Sequence, residues 1–136
     1  MNVKKQCALF VLGGAGYVGL ELIWRGRSHY SMFLAGGVCF LLLGRLDRKL
    51  PLPMRAVLGA GIITLVELAA GLLVNRGYAV WDYRDRLGNF LGQICPMYSL
   101  LWIPVAAGAQ GIYHRAEGWL QRAGRGTELT IDNANQ

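Results

Sequence analysis

Charge is scarce in this chain: only 16% of its 136 residues are Asp, Glu, Lys or Arg, and no more than eight are acidic. A soluble domain of this size hides its apolar residues behind charge, so 54% hydrophobic content and 19 glycines indicate a membrane protein instead. Cysteine is also sparse. Cys7, Cys39 and Cys95 are odd in number and fall inside apolar runs, which leaves a disulfide framework without partners and a zinc site without its spacing; all three are expected as small buried residues. The two histidines, His29 and His114, flank different apolar segments on opposite faces, and no H-x-x-x-H, G-x-S-x-G or Walker pattern occurs. No nucleophile and base set, cofactor or metal is therefore expected. The net charge of +6 comes from basic residues at the ends of apolar segments, with no stripe interleaved with aromatics, so nucleic acid is not an expected partner.

What is present is a succession of apolar segments: Cys7 to Trp24, Tyr30 to Gly44, Ala56 to Asn75, and roughly Phe90 to Tyr113. Each is read as a transmembrane helix, giving an all-α membrane protein with four spans in one domain, residues 1–117. The second is short for a hydrocarbon core of about 30 Å, which a helix crosses in roughly 20 residues. Lys4 and Lys5 before the first segment invite a signal-peptide reading, but no A-x-A-like cleavage site follows. Nine Lys and Arg fall on one side of the four spans (Lys4, Lys5, Arg45, Arg48, Lys49, Arg55, Arg115, Arg122, Arg125) and five on the other (Arg25, Arg27, Arg76, Arg84, Arg86). The positive-inside rule then places both termini on the cytoplasmic side of a multi-pass chain. Residues 118–136 turn polar and are expected as a flexible cytoplasmic tail.

Two glutamates stand inside these spans. Glu21 lies four residues before Arg25, near the end of its segment, whereas Glu67 is nine residues from Arg76 and twelve from Arg55, close to mid-membrane. An ionisable group there costs a few kcal/mol unless it is paired, protonated or wetted by a cavity, so it is either an interhelical hydrogen bonder or a ligand-binding carboxylate. Gly14, Gly16 and Gly19 spell G-x-G-x-x-G, but no acidic residue follows about 20 positions on and no strand and helix alternation surrounds them. They are read instead as a face that lets a neighbouring helix approach closely. Pro96 and Pro104 favour a kink in the fourth segment.

The chain also reads as one hairpin written twice. Leu20-Glu21-Leu22 corresponds to Val66-Glu67-Leu68, and Gly36-Gly37-Val38-Cys39 to Gly92-Gln93-Ile94-Cys95, with Glu-to-Cys separations of 18 and 28 residues. Two parallel repeats related by an axis along the membrane normal are one way transporters build a site at the repeat interface. The extra residues of the second copy form the outward loop from Trp81 through Asp82 and Tyr83 to Asn89, read as an interfacial anchor or as a lid over the glutamates.

The stretch from Val66-Glu67-Leu68 through Trp81-Asp82-Tyr83, Asn89, Gly92, Ile94-Cys95 and Ser99-Leu100 resembles a bacterial family called Putative ABC-transporter type IV, or CmpB-like, which reads W-W-D-Y-S and N-x-x-G-x-I-C in this region. The resemblance covers about half the chain well and the first hairpin more loosely, since that family has a glutamate in its first span and a G-P-x-C-like stretch in its second, here replaced by Gly36-Gly37-Val38-Cys39. It departs from the pattern at Val80, Arg84 and Pro96. The family name implies transport. With the residues, it gives the expectation of a small transporter or channel-like component binding an ion or substrate at Glu21, Glu67, Trp81, Asp82, Tyr83 and Asn89. Four short helices enclose little space, so a homo-oligomer in contact with lipid, or with a membrane partner subunit, is expected. The alternatives are a structural subunit held together by its glutamates and, with less support, a membrane enzyme acting on lipid or isoprenoid carriers through an acid pair drawn from Glu21, Glu67 and Asp82.

Overall fold

A computed structural model describes residues 2–136. Four helices follow one another: α1 Val3–Arg25, α2 Tyr30–Gly44, α3 Leu52–Val74 and α4 Pro96–Ala134. Their ends follow local chemistry. The Asn2 side chain accepts from the Lys4 N–H at 3.0 Å at the start of α1, and Gly26, at φ 71°, closes it by donating to the Leu22 carbonyl. Prolines, which have no N–H to waste, sit in the first turns of α3 and α4. Among the described residues there is no strand, only an isolated bridge between Phe90 and Ile94.

α1 and α3 are long and apolar enough to cross a membrane. α2 is apolar but has 15 residues, about 23 Å of rise against a core of about 30 Å. The fourth segment differs from its sequence reading at both ends. Its helix starts at Pro96, because Phe90 to Cys95 are folded into the preceding loop, and it does not give way to an irregular tail at Gly118 but stays helical to Ala134. No proline follows Pro104, so nothing covalent stops the helix, and residues 125–136 are exposed along it.

Adjacent helices pair as two hairpins, α1 with α2 and α3 with α4, and α2 lies between α1 and the second hairpin. Glycines set the α1 and α2 approach, as in many membrane helix pairs. A Cβ on Gly13 would run into Phe40, on Gly14 into Phe33, on Gly36 into Tyr17 and on Gly37 into Phe10. Gly16 and Gly19 face open space, so the close-packed face begins at Gly13 and excludes two of the three glycines assigned to it from sequence. α2, α3 and α4 meet around Cys39, Leu43, Ile63 and Ala106, and Leu9, Phe40 and Tyr113 fill the other end. Cys39 and Cys95 are buried as expected; Cys7 is exposed, because it lies on the outer face of α1.

The repeated-hairpin reading survives only as topology. Both hairpins start from the same side, but Cys39 lies inside α2 whereas Cys95 is the residue that caps α4, so the two glycine and cysteine motifs occupy different structural positions.

The glycine packing makes a paired prediction. Gly13→Leu overfills the α1 and α2 contact and should cost about 1–3 kcal/mol, while Gly19→Leu should stay within about 0.5 kcal/mol. Unfolding midpoints of both variants in one detergent check it; equal midpoints would remove α1 from its place against α2.

Candidate functional site

The loop of residues 75–95 is built on buried amides. Asn75 donates to the Trp81 carbonyl at 2.7 Å and to Gln93 Oε1 at 2.9 Å, while its own oxygen accepts from the Val80 and Trp81 N–H groups at 2.9 and 3.3 Å. Gln93 returns a bond to the Asn75 carbonyl, and the Trp81 indole donates to the Gln93 carbonyl at 2.9 Å. Trp81 and Gln93 can lie this close to α3 because residue 71 is glycine, where a Cβ would overlap both. The result is an ordered loop whose next inward residue, Tyr83, is held between the helices with 4% exposure.

Tyr83 joins the two halves of the molecule. Its hydroxyl donates to Glu67 Oε1 at 3.2 Å and accepts from Arg25 Nη2 at 2.7 Å, and its ring stacks on Tyr98 with centroids 4.9 Å apart. The second oxygen of Glu67 accepts from the Trp102 indole of α4 at 3.1 Å. Arg25 in turn pairs with Glu21 one helical turn earlier, Nε to Oε2, at 3.4 Å. Glu21 and Glu67 are thus the ends of one chain of contacts, Glu21 to Arg25 to Tyr83 to Glu67, closed by Trp102. Only Glu21 pairs with the guanidinium directly, Glu67 reaching it through the Tyr83 hydroxyl, and every link crosses between elements except the first.

The array lies at one end of a cavity of about 300 Å³ between α1 and α4, walled by apolar side chains such as Leu20, Ile23, Leu101 and Val105, together with Glu21, Arg25 and Tyr83. Leu20, Ile23, Trp24 and Leu101 are exposed, so this cavity opens sideways from the bundle. It shares Tyr17, Leu20, Trp102 and Val105 with a second cavity of about 400 Å³ that continues down the same helices to Ile112. Together they form one groove. Glu67 does not line it; it stands behind, buried, with both oxygens engaged.

The other residues singled out from sequence are placed differently. Trp81 is buried in the loop base. Asp82 is exposed, and Arg84 holds both its oxygens at 2.9 and 2.7 Å, which draws its carboxyl down to about 2. Asn89 ties the loop turn by donating to the Arg84 and Arg86 carbonyls and accepting from Gly92. Asp82 stands apart from the two glutamates in a solvent-facing ion pair, while Glu21 lines the groove wall and Glu67 lies buried behind it. Arg25, Trp102 and the Asn75 and Gln93 amides were not anticipated. Only Arg25 carried a signal, its spacing of four residues from Glu21.

Two predictions test this geometry. Tyr83→Phe keeps the ring but leaves Glu67 Oε1 and one Arg25 N–H without their partner, so it should destabilise the fold by about 1–3 kcal/mol; an unchanged unfolding midpoint would detach Tyr83 from both. The Asp82 ion pair carries a pH signature of known sign. A carboxyl whose folded value lies below its unfolded one, about 3.9, adds order above that value and loses it as the pH falls toward about 2. Amide exchange of residues 82–92 should therefore be insensitive to Asp82→Asn at pH 2 and faster in the variant at pH 6.

No curated protein and no solved structure matches this chain. The family described as Putative ABC-transporter type IV matches residues 14–123, a span that contains the whole array from Glu21 to Trp102 and the loop between them. The match takes in the first hairpin from Gly14 onward, where the resemblance was looser, and most of α4. With four helices, two of them apolar and long enough to cross a bilayer, and this match over most of its length, the chain belongs to the Putative ABC-transporter type IV family of transport-related membrane proteins.

Proposed function

We propose that this chain is a small transport-related component of the bacterial inner membrane, crossing it four times with both termini in the cytoplasm, and that it works at the charged end of the groove between α1 and α4. The observation that carries this reading is the array Glu21, Arg25, Tyr83 and Glu67, which sets ionisable groups at one end of an apolar, laterally open groove. Such groups are costly in hydrocarbon and mark substrate or ion paths. Arg25, bonded to Glu21 and to the Tyr83 hydroxyl, is the one cation of this array, and its bonds can be exchanged for bonds to a polar group of a ligand. Tyr83 ties this site to the outward loop, so a ligand that separates Arg25 from Tyr83 also loosens the Trp81 to Asn89 segment.

In this scheme Glu67 is a positioning residue. Both of its oxygens are engaged within the chain, which favours a fixed support over direct contact with cargo. The exposed apolar faces of α1 and α3 meet lipid, further copies or a membrane partner subunit. These 136 residues contain no Walker motif, so nucleotide hydrolysis would come from such a partner.

The reading is tested by uptake into proteoliposomes from a panel of labelled anionic, cationic and amphiphilic solutes. Wild type should accumulate at least one of them above protein-free vesicles. Glu21→Gln and Arg25→Gln should reduce that uptake by about tenfold or more, the loss of roughly 1.4 kcal/mol, while Cys7→Ser, on the exposed face of α1 away from the array, should stay near wild type. Full uptake by inserted Glu21→Gln and Arg25→Gln proteins, or no uptake by wild type, would overturn it.

A further inference from the structure

Beside the groove, on the loop side of the array, lies a second hollow of about 320 Å³. It shares Trp24, Arg25, Tyr83 and Tyr98 with the groove, so the two spaces meet across a common wall. Their characters are opposite. The groove side is lined by Leu20, Ile23, Leu101 and Val105, whereas the hollow holds three arginines, Arg25, Arg27 and Arg86. Its acid, Asp82, is already held by Arg84 through both oxygens. Among the described residues neither Arg27 nor Arg86 has an acidic partner, and both are exposed. Trp24 and Tyr98 stand at the junction, the aromatic position that marks the boundary between headgroups and hydrocarbon.

We propose that this composite site binds one lipid with a phosphate headgroup, the phosphate in the arginine hollow and one chain along the groove. The inference rests on the reading of the groove's charged end as the working site and names its ligand class. Charge complementarity selects the headgroup: two unpaired guanidinium groups and a third shared with Glu21 suit the planar, bidentate recognition of a phosphate. Length selects the tail. The stretch of α4 from Tyr98 to Ile112 that borders the groove runs about 21 Å, more than the roughly 15 Å of hydrocarbon in one leaflet. Gly16 and Gly108 keep the lower groove open, since a Cβ on either meets nothing within 4 Å.

Native mass spectrometry of the purified full-length protein, titrated with dioleoyl phosphatidylglycerol or dioleoyl phosphatidylcholine in mixed micelles, tests the site. Wild type should retain one phosphatidylglycerol with a preference of about tenfold or more over phosphatidylcholine, as two juxtaposed arginines supply. Arg27→Gln with Arg86→Gln should abolish the preference. Gly108→Leu, whose Cβ meets nothing within 4 Å, should weaken the dioleoyl lipid and leave a dihexanoyl analogue unaffected. Equal retention of the two lipids, a preference untouched by the double arginine variant, displacement by millimolar inorganic phosphate, or a dimer that excludes lipid would each overturn the proposal. Uptake measured in phosphatidylcholine vesicles separates the two levels. Sensitivity to Glu21→Gln without selective lipid retention sinks only the lipid site; selective retention with full uptake by Glu21→Gln sinks only the transport reading.

Discussion

A carboxylate buried in the middle of an apolar helix must find donors inside the protein, and the way Glu67 finds them governs how the rest of the chain is arranged. Its two oxygens take their bonds from different elements, Tyr83 of the loop and Trp102 of α4. That choice fixes the loop over the bundle and fixes α4 against α3. It also determines what Tyr83 can do next. A phenol has one proton, and since it goes to Glu67, the oxygen is left as an acceptor, which Arg25 fills. Donors in a low-dielectric setting strengthen one another along such a chain, so the links are best understood as one unit.

The loop is what makes this possible. A tyrosine on a mobile segment could not hold a 2.7 Å contact to a guanidinium on another hairpin, and here mobility is removed by the Asn75, Trp81 and Gln93 hub beneath it. Gly92, at φ 66°, bends the returning strand of the loop where a Cβ would strike Arg84 and Tyr78. Asn89 and the Asp82 to Arg84 pair stiffen the outer turn. The residues that look most like ligands in the sequence, Trp81, Asp82 and Asn89, are therefore the frame that aims Tyr83.

Glu67 and Tyr83 were legible in the sequence for physical reasons: a charge far from any span end is anomalous wherever it points, and the Trp81-Asp82-Tyr83 triplet breaks the surrounding composition. Arg25 was hidden by its own plausibility, because an arginine at the end of a span is what topology alone demands. Trp102 was hidden by burial, since an indole in an apolar run gives no sign that its N–H has a partner. The helical course of residues 118–134 was missed because polar composition speaks to core formation, whereas a helix needs only its backbone bonds and no proline to interrupt them. The motif match between Cys39 and Cys95 misled for a different reason. Short glycine and cysteine patterns serve equally well inside a packed helix and at the cap of one.

The groove follows from where the packing stops. α1 is pressed against α2 through Gly13 and Gly14 and meets α4 near its start, where Leu9 packs with Tyr113, but Gly16 and Gly19 on its next turns have no neighbour, and beyond them it is joined to the second hairpin by the contact of Tyr17 with Trp102 and the bond of Arg25 to the loop residue Tyr83. The gap is therefore bridged at its polar end by the same array that satisfies Glu67. A larger core side chain in place of that array would close the gap or leave it rigid, whereas charge-assisted bonds can be exchanged for bonds to a ligand at small net cost. In the proposed function, joining α1 to the loop through exchangeable contacts, with Glu67 held behind them, is what would let the groove wall yield while the α3 and α4 hairpin stays in place.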